Sequence, residues 1–456
     1  MRDVAMMNRR RLLTALAFAT AGTSAGVAWA ETAAKVLAPA AGAKIVVVGG
    51  GVGGATVSKY LKLFNPKLDV TLIDRNPHFI RHYGSSEVIT GAITMDDLTV
   101  SYDALKSNYG IKVVQDTIVG LDANKKTVVG VRDRYTYDKL IVSPGVELLY
   151  EKLPGYSAEL AHTKIPSGWI AGPQTQLLAN QLQSMRQGGT FLLVAPPNPY
   201  RCPPGPYERG ALVTEWCNKH NPTAKIIITD PKNDFVTDQT MILGWNRLYG
   251  FPIPESYKEA LGKYASPGRD NCQLSWIQAK DGGKPLSLDA KNMTVTTEAG
   301  TIKADVINII PPMRAANVAL AMGLANQTGF CPVDRRTFES TIIPDVYVLG
   351  DASIADAMPK SGFSANTQGK NTARAIVEQL AGHEVPEPVW SNTCYALAGE
   401  DYGLFVADVF RLVNGKISRV NTRARYQFLT ASREEQTLAA HYLHSWMNTI
   451  TADSFG

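Results

Sequence analysis

Lys44-Ile45-Val46-Val47-Val48-Gly49-Gly50-Gly51-Val52-Gly53-Gly54 decides the fold. Five residues, four of them apolar and β-branched, read as a buried parallel strand. The glycines that follow fit the spacing of a dinucleotide turn at Gly49, Gly51 and Gly54. Ala55 to Leu61 reads as the helix that such a turn opens. Leu68-Asp69-Val70-Thr71-Leu72-Ile73 reads as the next strand, ending at Asp74 with Arg75 beside it. Asp74 stands where a carboxylate can bind ribose hydroxyls, and the helix N-terminus is placed to hold a pyrophosphate. The spacing does not distinguish FAD from NAD.

Two later motifs make the distinction. Val346-Tyr347-Val348-Leu349-Gly350-Asp351-Ala352 is an apolar strand ending in Gly-Asp. It resembles the second FAD motif of disulfide-reductase-like flavoproteins, in which the aspartate binds the ribityl chain. Leu140-Ile141-Val142-Ser143-Pro144-Gly145 resembles the strand-to-glycine crossover of the same group. The resemblance implies an α/β fold with two Rossmann-like domains and bound FAD, with Gly145, Gly350 and Asp351 on the cofactor.

A second βαβ unit starts at Gly188-Gly189-Thr190-Phe191-Leu192-Leu193-Val194, with Ala224 to Asp230 as its next strand. Its first strand runs into Ala195-Pro196-Pro197-Asn198-Pro199 instead of glycines. Proline has no N–H to offer a phosphate, so no NAD is expected here. The expected layout is an FAD domain from 43–155 and 305–383, a degenerate NAD-like domain at 156–304, and a small C-terminal α+β domain at 384–456.

The first thirty residues read as an export leader. Asn8-Arg9-Arg10-Arg11-Leu12-Leu13 precedes a short apolar run ending in Ala28-Trp29-Ala30. The paired arginines point to the twin-arginine route and a periplasmic address. The whole chain carries +5, and the leader holds four arginines and one aspartate. The remainder is therefore near +2, with no basic run to suggest nucleic acid. No later stretch reads as a membrane span, and no metal site is assigned.

The chain has five cysteines. Cys202 lies in Tyr200-Arg201-Cys202-Pro203-Pro204-Gly205-Pro206-Tyr207-Glu208, just before an expected helix that would favour its thiolate. A buried packing role is the alternative. Cys331, in Gly329-Phe330-Cys331-Pro332, would by itself read as structural. Cys217 reads as packing, and Cys272 and Cys394 carry no local chemistry.

With these pieces the mature chain resembles the flavoprotein subunit of flavocytochrome c sulfide dehydrogenase. The most specific segments are Cys202 to Glu208, Gly329 to Pro332, Trp390-Ser391-Asn392-Thr393-Cys394-Tyr395, and Trp446 to Gly456. The resemblance implies that Cys202 and Cys331 form a redox disulfide, Glu208 is a nearby acid/base, and Trp446 lies near the flavin. It implies oxidation of sulfide, with electrons passing through FAD to a separate c-type cytochrome subunit. The chain lacks a C-x-x-C-H motif and is expected to carry no haem. Where the family attaches FAD through a cysteine, this chain places His82. The expectation is a non-covalent flavin, with histidyl attachment as the alternative. A sulfide:quinone oxidoreductase and an accessory flavoprotein of a periplasmic sulfur-oxidation system are the rival functions.

Overall fold

The computed structural model describes residues 42–421 and 425–456. The expected leader lies outside the described residues.

The first sheet is parallel throughout. In spatial order its strands are Val346–Val348 (β9), Lys139–Val142 (β4), Lys44–Val48 (β1), Asp69–Asp74 (β2) and Lys112–Gln115 (β3). Ile45, Val47, Leu72, Leu140, Ile141, Val346 and Val348 are fully buried. Such doubly covered strands read as near-continuous apolar runs. Helix α1, Val52–Phe64, packs on β1 and β2, and helix α4, Gly362–Leu380, packs against α1. A short helix, α2, covers Ser85–Thr90.

The second sheet is also parallel. Its order is Leu274–Ile277 (β7), Lys225–Thr229 (β6), Thr190–Val194 (β5) and Val306–Ile309 (β8). Here the structure corrects the expected boundary at 304/305. Val306–Ile309 pairs with β5 in the register Phe191↔Val306, so the strand belongs to the central domain. The chain re-enters the first domain only after Pro311 and Pro312. There Met313–Ala315 pairs antiparallel with Val146–Leu148, a two-strand ribbon joining the domains. Helix α3, Gly205–His220, follows the proline-rich loop and buries Cys217.

The third unit is an antiparallel sheet of Val389–Gly399 (β10), Tyr402–Val413 (β11) and Lys416–Arg419 (β12). Helix α5, Arg433–Phe455, crosses it. Ser432 caps α5 by accepting the Glu435 N–H at 3.2 Å, and Glu435 accepts the Ser432 N–H at 2.7 Å. Its far end docks on the first domain. Tyr60 OH donates to Asp453 at 2.8 Å, Thr56 Oγ1 donates to Ser454 at 2.9 Å, and Phe455 stacks on Phe79 at 5.1 Å. α1 thus enters the dinucleotide turn at one end and receives the C-terminus along its side. No helix among the described residues is long and apolar enough to cross a membrane.

Candidate flavin and sulfur site

Gly49 sits at φ +100°, and a Cβ there would come within 2.4 Å of Ser143 O. A Cβ on Gly54 would come within 1.8 Å of Gly49 O. Gly51 faces nothing nearer than Phe79 Cε2 at 3.7 Å, which leaves room for a phosphate at the start of α1. Asp74 accepts the Gly50 N–H at 2.7 Å and the Asn76 N–H at 2.8 Å, fixing the carboxylate under the turn. Arg75 is exposed, and its carbonyl accepts from Gln115 Nε2 at 3.2 Å. Gly145 holds φ +69° with open space where a side chain would be.

The second cofactor motif lies across the sheet. Gly350, at φ +75°, donates its N–H to Gln368 Oε1 at 2.8 Å. Asp351 Oδ1 is a buried acceptor with no partner. Such an orphan is costly unless a ligand donates to it, and a ribityl hydroxyl fits that need. Burial raises the Asp351 carboxyl, while Arg201 and Lys360 oppose it. Lys360 Nζ donates to Asp351 O at 2.7 Å and Ser353 O at 3.0 Å, with its charge 3.9 Å from the Phe330 ring centroid. Burial lowers the Lys360 ammonium to about 8 against the pull of Asp351 and Cys331. Turn, open helix end and orphaned acid together fit a flavin dinucleotide.

Trp446 belongs to an aromatic wall. Its ring lies 5.5 Å from Tyr83, 6.5 Å from Phe363 and 6.5 Å from Tyr395, and its Nε1 is buried without a partner. His82 accepts the Ala171 N–H on Nδ1 at 3.1 Å, which assigns the proton to Nε2. Burial and then Arg201 push its pKa well below the ordinary histidine value, so this imidazole is neutral.

Cys202 occupies a left-handed turn at φ +57°. Its N–H donates to Lys360 O, and its carbonyl accepts from Gly205 N–H, both at 2.9 Å. The residue is accessible, and a Cβ on Gly205 would come within 2.9 Å of its sulfur. The expectation of a favoured thiolate is corrected here. Burial raises the Cys202 thiol first, then Glu208 and Cys394 raise it further, outweighing Arg201 and the Gly205 N–H. Partial charges at a helix end contribute about 0.3–1 kcal/mol at exposed sites, too little to reverse desolvation beside a carboxyl.

Cys331 is fully buried one strand-width from the Gly-Asp motif. Its N–H donates to Ala352 O at 2.9 Å, and it pairs with Ser353 in an isolated parallel bridge. Burial pushes its thiol to about 12, and Lys360 works in the opposite direction. All five cysteines are free thiols in this structure. Lys360 touches both environments, its carbonyl taking the Cys202 N–H and its charge acting on Cys331, but the thiol that acts on Cys202 is Cys394 and not Cys331.

Glu208 lies in the first turn of α3. Its Oε1 accepts the Leu397 N–H from β10 at 2.8 Å. Burial raises its pKa to about 8, helped by Glu87 and resisted by the Leu397 N–H and Arg209. Three further residues belong to this site that sequence reasoning passed over. Arg201 acts electrostatically on His82, Cys202 and Asp351. Lys360 is described above. Cys394 faces inward on β10 with buried Asn392, and its Sγ lies 3.5 Å from Asn392 Oδ1. The β10 alternation of Trp390, Asn392, Cys394 and Ala396 was the available signal for Cys394.

The second nucleotide turn has been filled. Asp230, at the end of β6, is fully buried. It accepts from Tyr207 OH at 2.5 Å, Trp276 Nε1 at 3.1 Å and Lys232 Nζ at 2.7 Å. Tyr207 stacks on Phe235 at 3.4 Å above it, and Lys232 Nζ also reaches Pro196 O.

Fold and site define a flavoprotein of the pyridine nucleotide-disulphide oxidoreductase type, whose family model matches residues 43–167. Two narrower models also match. The central domain of the sulfide dehydrogenase (flavocytochrome c) flavoprotein chain matches 175–311, and the flavin-binding domain of flavocytochrome c sulphide dehydrogenase matches 386–455. Over those two segments the chain is similar to the flavoprotein chain of this sulfide dehydrogenase. A 37-residue stretch is 46% identical to the flavoprotein chain of sulfide dehydrogenase (flavocytochrome c) from Chlorobaculum thiosulfatiphilum, covering 8% of this chain and 77% of that one. The mitochondrial sulfide:quinone oxidoreductase of Dictyostelium discoideum is 25% identical over 355 residues, 76% of this chain and 72% of that one. The sulfide:quinone oxidoreductase structure from Aquifex aeolicus shares the fold at a TM-score of 0.68 and 16% identity, covering 91% of this chain and 92% of that one.

Proposed function

We propose that this chain is a periplasmic flavoenzyme that oxidises sulfide and passes the electrons through FAD to a c-type cytochrome. The observation that carries the reading is Cys202. It is an exposed residue whose N–H is held by Lys360, the lysine that also reaches Cys331 and the orphaned Asp351, with protonatable Glu208 in the helix it introduces.

In the oxidised form Cys202 and Cys331 are disulfide-bonded. Hydrosulfide attacks the accessible Cys202 sulfur. A new S–S bond forms on Cys202, the Cys202–Cys331 bond breaks, and Cys331 leaves as a thiolate. Lys360 stabilises that thiolate by charge. FAD, when bound, supplies the acceptor for the electron pair. To close the cycle the Cys202–Cys331 bond re-forms, the outer sulfur leaves at the zero-valent level, and Glu208 takes its proton, so that overall the sulfide sulfur loses two electrons and one proton. Gly49, Gly51, Gly54 and Asp74 hold the dinucleotide, Asp351 the ribityl chain, and Tyr83, Phe363 and Trp446 exclude water. Flavin attachment is non-covalent in this reading, because position 82 holds a histidine and no thioether can form there; the ring accepts the Ala171 N–H on Nδ1. Acid precipitation should leave the flavin in the supernatant, and colour in the pellet would indicate histidyl attachment through Nε2.

The acceptor is a cytochrome subunit held in a heterodimer, after export through the twin-arginine route. Covered Asp230 and the proline turn support a second domain without NAD. The likeness to sulfide:quinone oxidoreductases supports quinone as the rival acceptor. Anaerobic sulfide titration of the purified protein decides the matter. Flavin bleaching by stoichiometric sulfide, with reoxidation by cytochrome c, is expected. Bleaching followed by reoxidation with quinone alone would transfer the assignment to the rival.

A further inference from the structure

Sulfide oxidation releases a proton beside Glu208, and a partly buried carboxyl that takes it must return it to solvent each turnover. The structure provides a route. Glu87, in the first turn of α2, is buried, with 7% of the residue accessible. Its Oε1 is paired with His444 Nε2 of α5 at 2.7 Å, and the His444 side chain is 48% exposed. Its Oε2 is buried and has no partner. A carboxylate with one oxygen bonded outward and the other orphaned inward is half of an incomplete network.

Glu87 also acts on the sulfur site. α2 packs on α3, the helix that carries Glu208, and the charge of Glu87 acts on Glu208. One apolar cluster ties the three groups together: Leu212, Leu397, Leu443 and Met447, with Tyr83 and Trp446 packed on it. Leu212 is one turn along α3 from Glu208, Leu397 donates its N–H to Glu208, and Leu443 adjoins His444. The dry cluster confines proton traffic to the polar groups at its edge.

We propose that Glu87 and His444 form a proton relay from Glu208 to the protein surface, an inference that rests on the sulfide-oxidising reading. Glu208 takes the proton that the new Cys202 persulfide S–H loses. The proton passes to Glu87 Oε2 by carboxyl rotation or through a bridging water, and the second Glu87 oxygen shares a proton with His444 Nε2. His444 discharges to solvent. Each hop moves one proton, and no electron moves along the path. The other charged or titratable groups facing the path are Arg209 on α3, Arg81 and Tyr83 before α2, His441 on α5, and Cys202 and Cys394 at the sulfur end. The segment Pro173–Gln183, also packed on α2, carries no charged side chain.

The test uses the flavin-loaded protein and its Glu87→Gln, His444→Gln and His444→Ala variants. Stopped-flow flavin reduction by sulfide should slow about tenfold to a hundredfold in the two Gln variants. Their solvent deuterium isotope effect should exceed that of the wild type. Added imidazole should restore the His444→Ala rate but leave Glu87→Gln slow. Wild-type rates and pH profiles in both Gln variants, with the flavin retained, would overturn the relay. An arm without turnover follows the Glu208 carboxylic C=O stretch by infrared titration. Its midpoint should fall in Glu87→Gln, and an unchanged midpoint also overturns the relay. If wild-type flavin resists sulfide, the functional reading fails, and this infrared arm still decides whether the two carboxyls communicate.

Discussion

The two dinucleotide turns of this molecule begin from the same strand–turn–helix plan and end in opposite states. In the first, Gly51 faces open space and Asp74 is held by the Gly50 N–H at the rim. In the second, prolines replace the glycines, and Asp230 lies fully buried beneath Tyr207, Trp276 and Lys232. Equivalent strand-end acids have become a ligand-facing group and a core ion-pair member. The second domain kept its sheet, because the β5–β6–β8 pairing does not depend on the turn. The loop with prolines in place of the glycines is the same loop that carries Cys202.

The largest effect that would test this comparison is on turnover. Cys202→Ser should lower flavin reduction by sulfide by several orders of magnitude while the purified protein stays fully flavinated. The residues assigned to the flavin lie in the first turn and at Asp351, outside the loop that carries Cys202. Absorbance ratios and stopped-flow traces check both halves. Flavin loss in this variant would mean that the two turns are not separable.

The next effect contrasts the two acids. Asp230→Ala strands Lys232, whose side chain is 8% exposed, without its ion-pair partner. Breaking a buried pair costs about 3–5 kcal/mol. Asp230→Ala should therefore shift chemical denaturation strongly, and Asp74→Ala should chiefly weaken flavin retention. Equal behaviour of the two variants would erase the distinction drawn between a core acid and a rim acid.

The sequence revealed the first turn, the Gly-Asp motif and the proline-filled second turn because each is local: strand, punctuation and acid lie within about thirty residues in the first unit and about forty in the second. It did not reveal which sheet Val306–Ile309 joins. An apolar four-residue strand looks the same in either sheet, and only the pairing with Phe191–Val194 decides. It also missed Arg201, Lys360 and Cys394, each of which acts on at least one site residue more than a hundred positions away: Asp351, Cys202 and Cys202 respectively. The favoured-thiolate reading of Cys202 failed for the same reason. A helix start is visible locally, but the desolvation that outweighs it is tertiary.

A smaller effect concerns pH. Glu208 has a folded value near 8 against an ordinary 4.5, raised mainly by burial. A carboxyl raised on folding binds its proton more tightly in the native state. Its stabilising contribution is therefore whole below about pH 4.5 and lost as pH rises through 8. Glu208→Gln cannot ionise and should not show that loss. The difference between the wild-type and Glu208→Gln melting temperatures should grow in the variant's favour from pH 5 to pH 9. Parallel profiles would mean that Glu208 ionises normally, removing the basis for its proton role.

The smallest expected effect is none at all. Pro196→Gly with Pro197→Gly restores backbone N–H groups to the second turn, the change that motif spacing alone would call sufficient for a nucleotide. Asp230 nevertheless stays committed to three donors, and the Tyr207–Phe235 stack still fills the space above it. Binding would require breaking the buried Lys232 pair and unstacking the rings before any phosphate contact formed. NADH titration of the double variant, followed by fluorescence, should show no saturable binding and no flavin reduction. Saturable binding would place the barrier in the prolines alone, and the second turn would then be a blocked site instead of a rebuilt one.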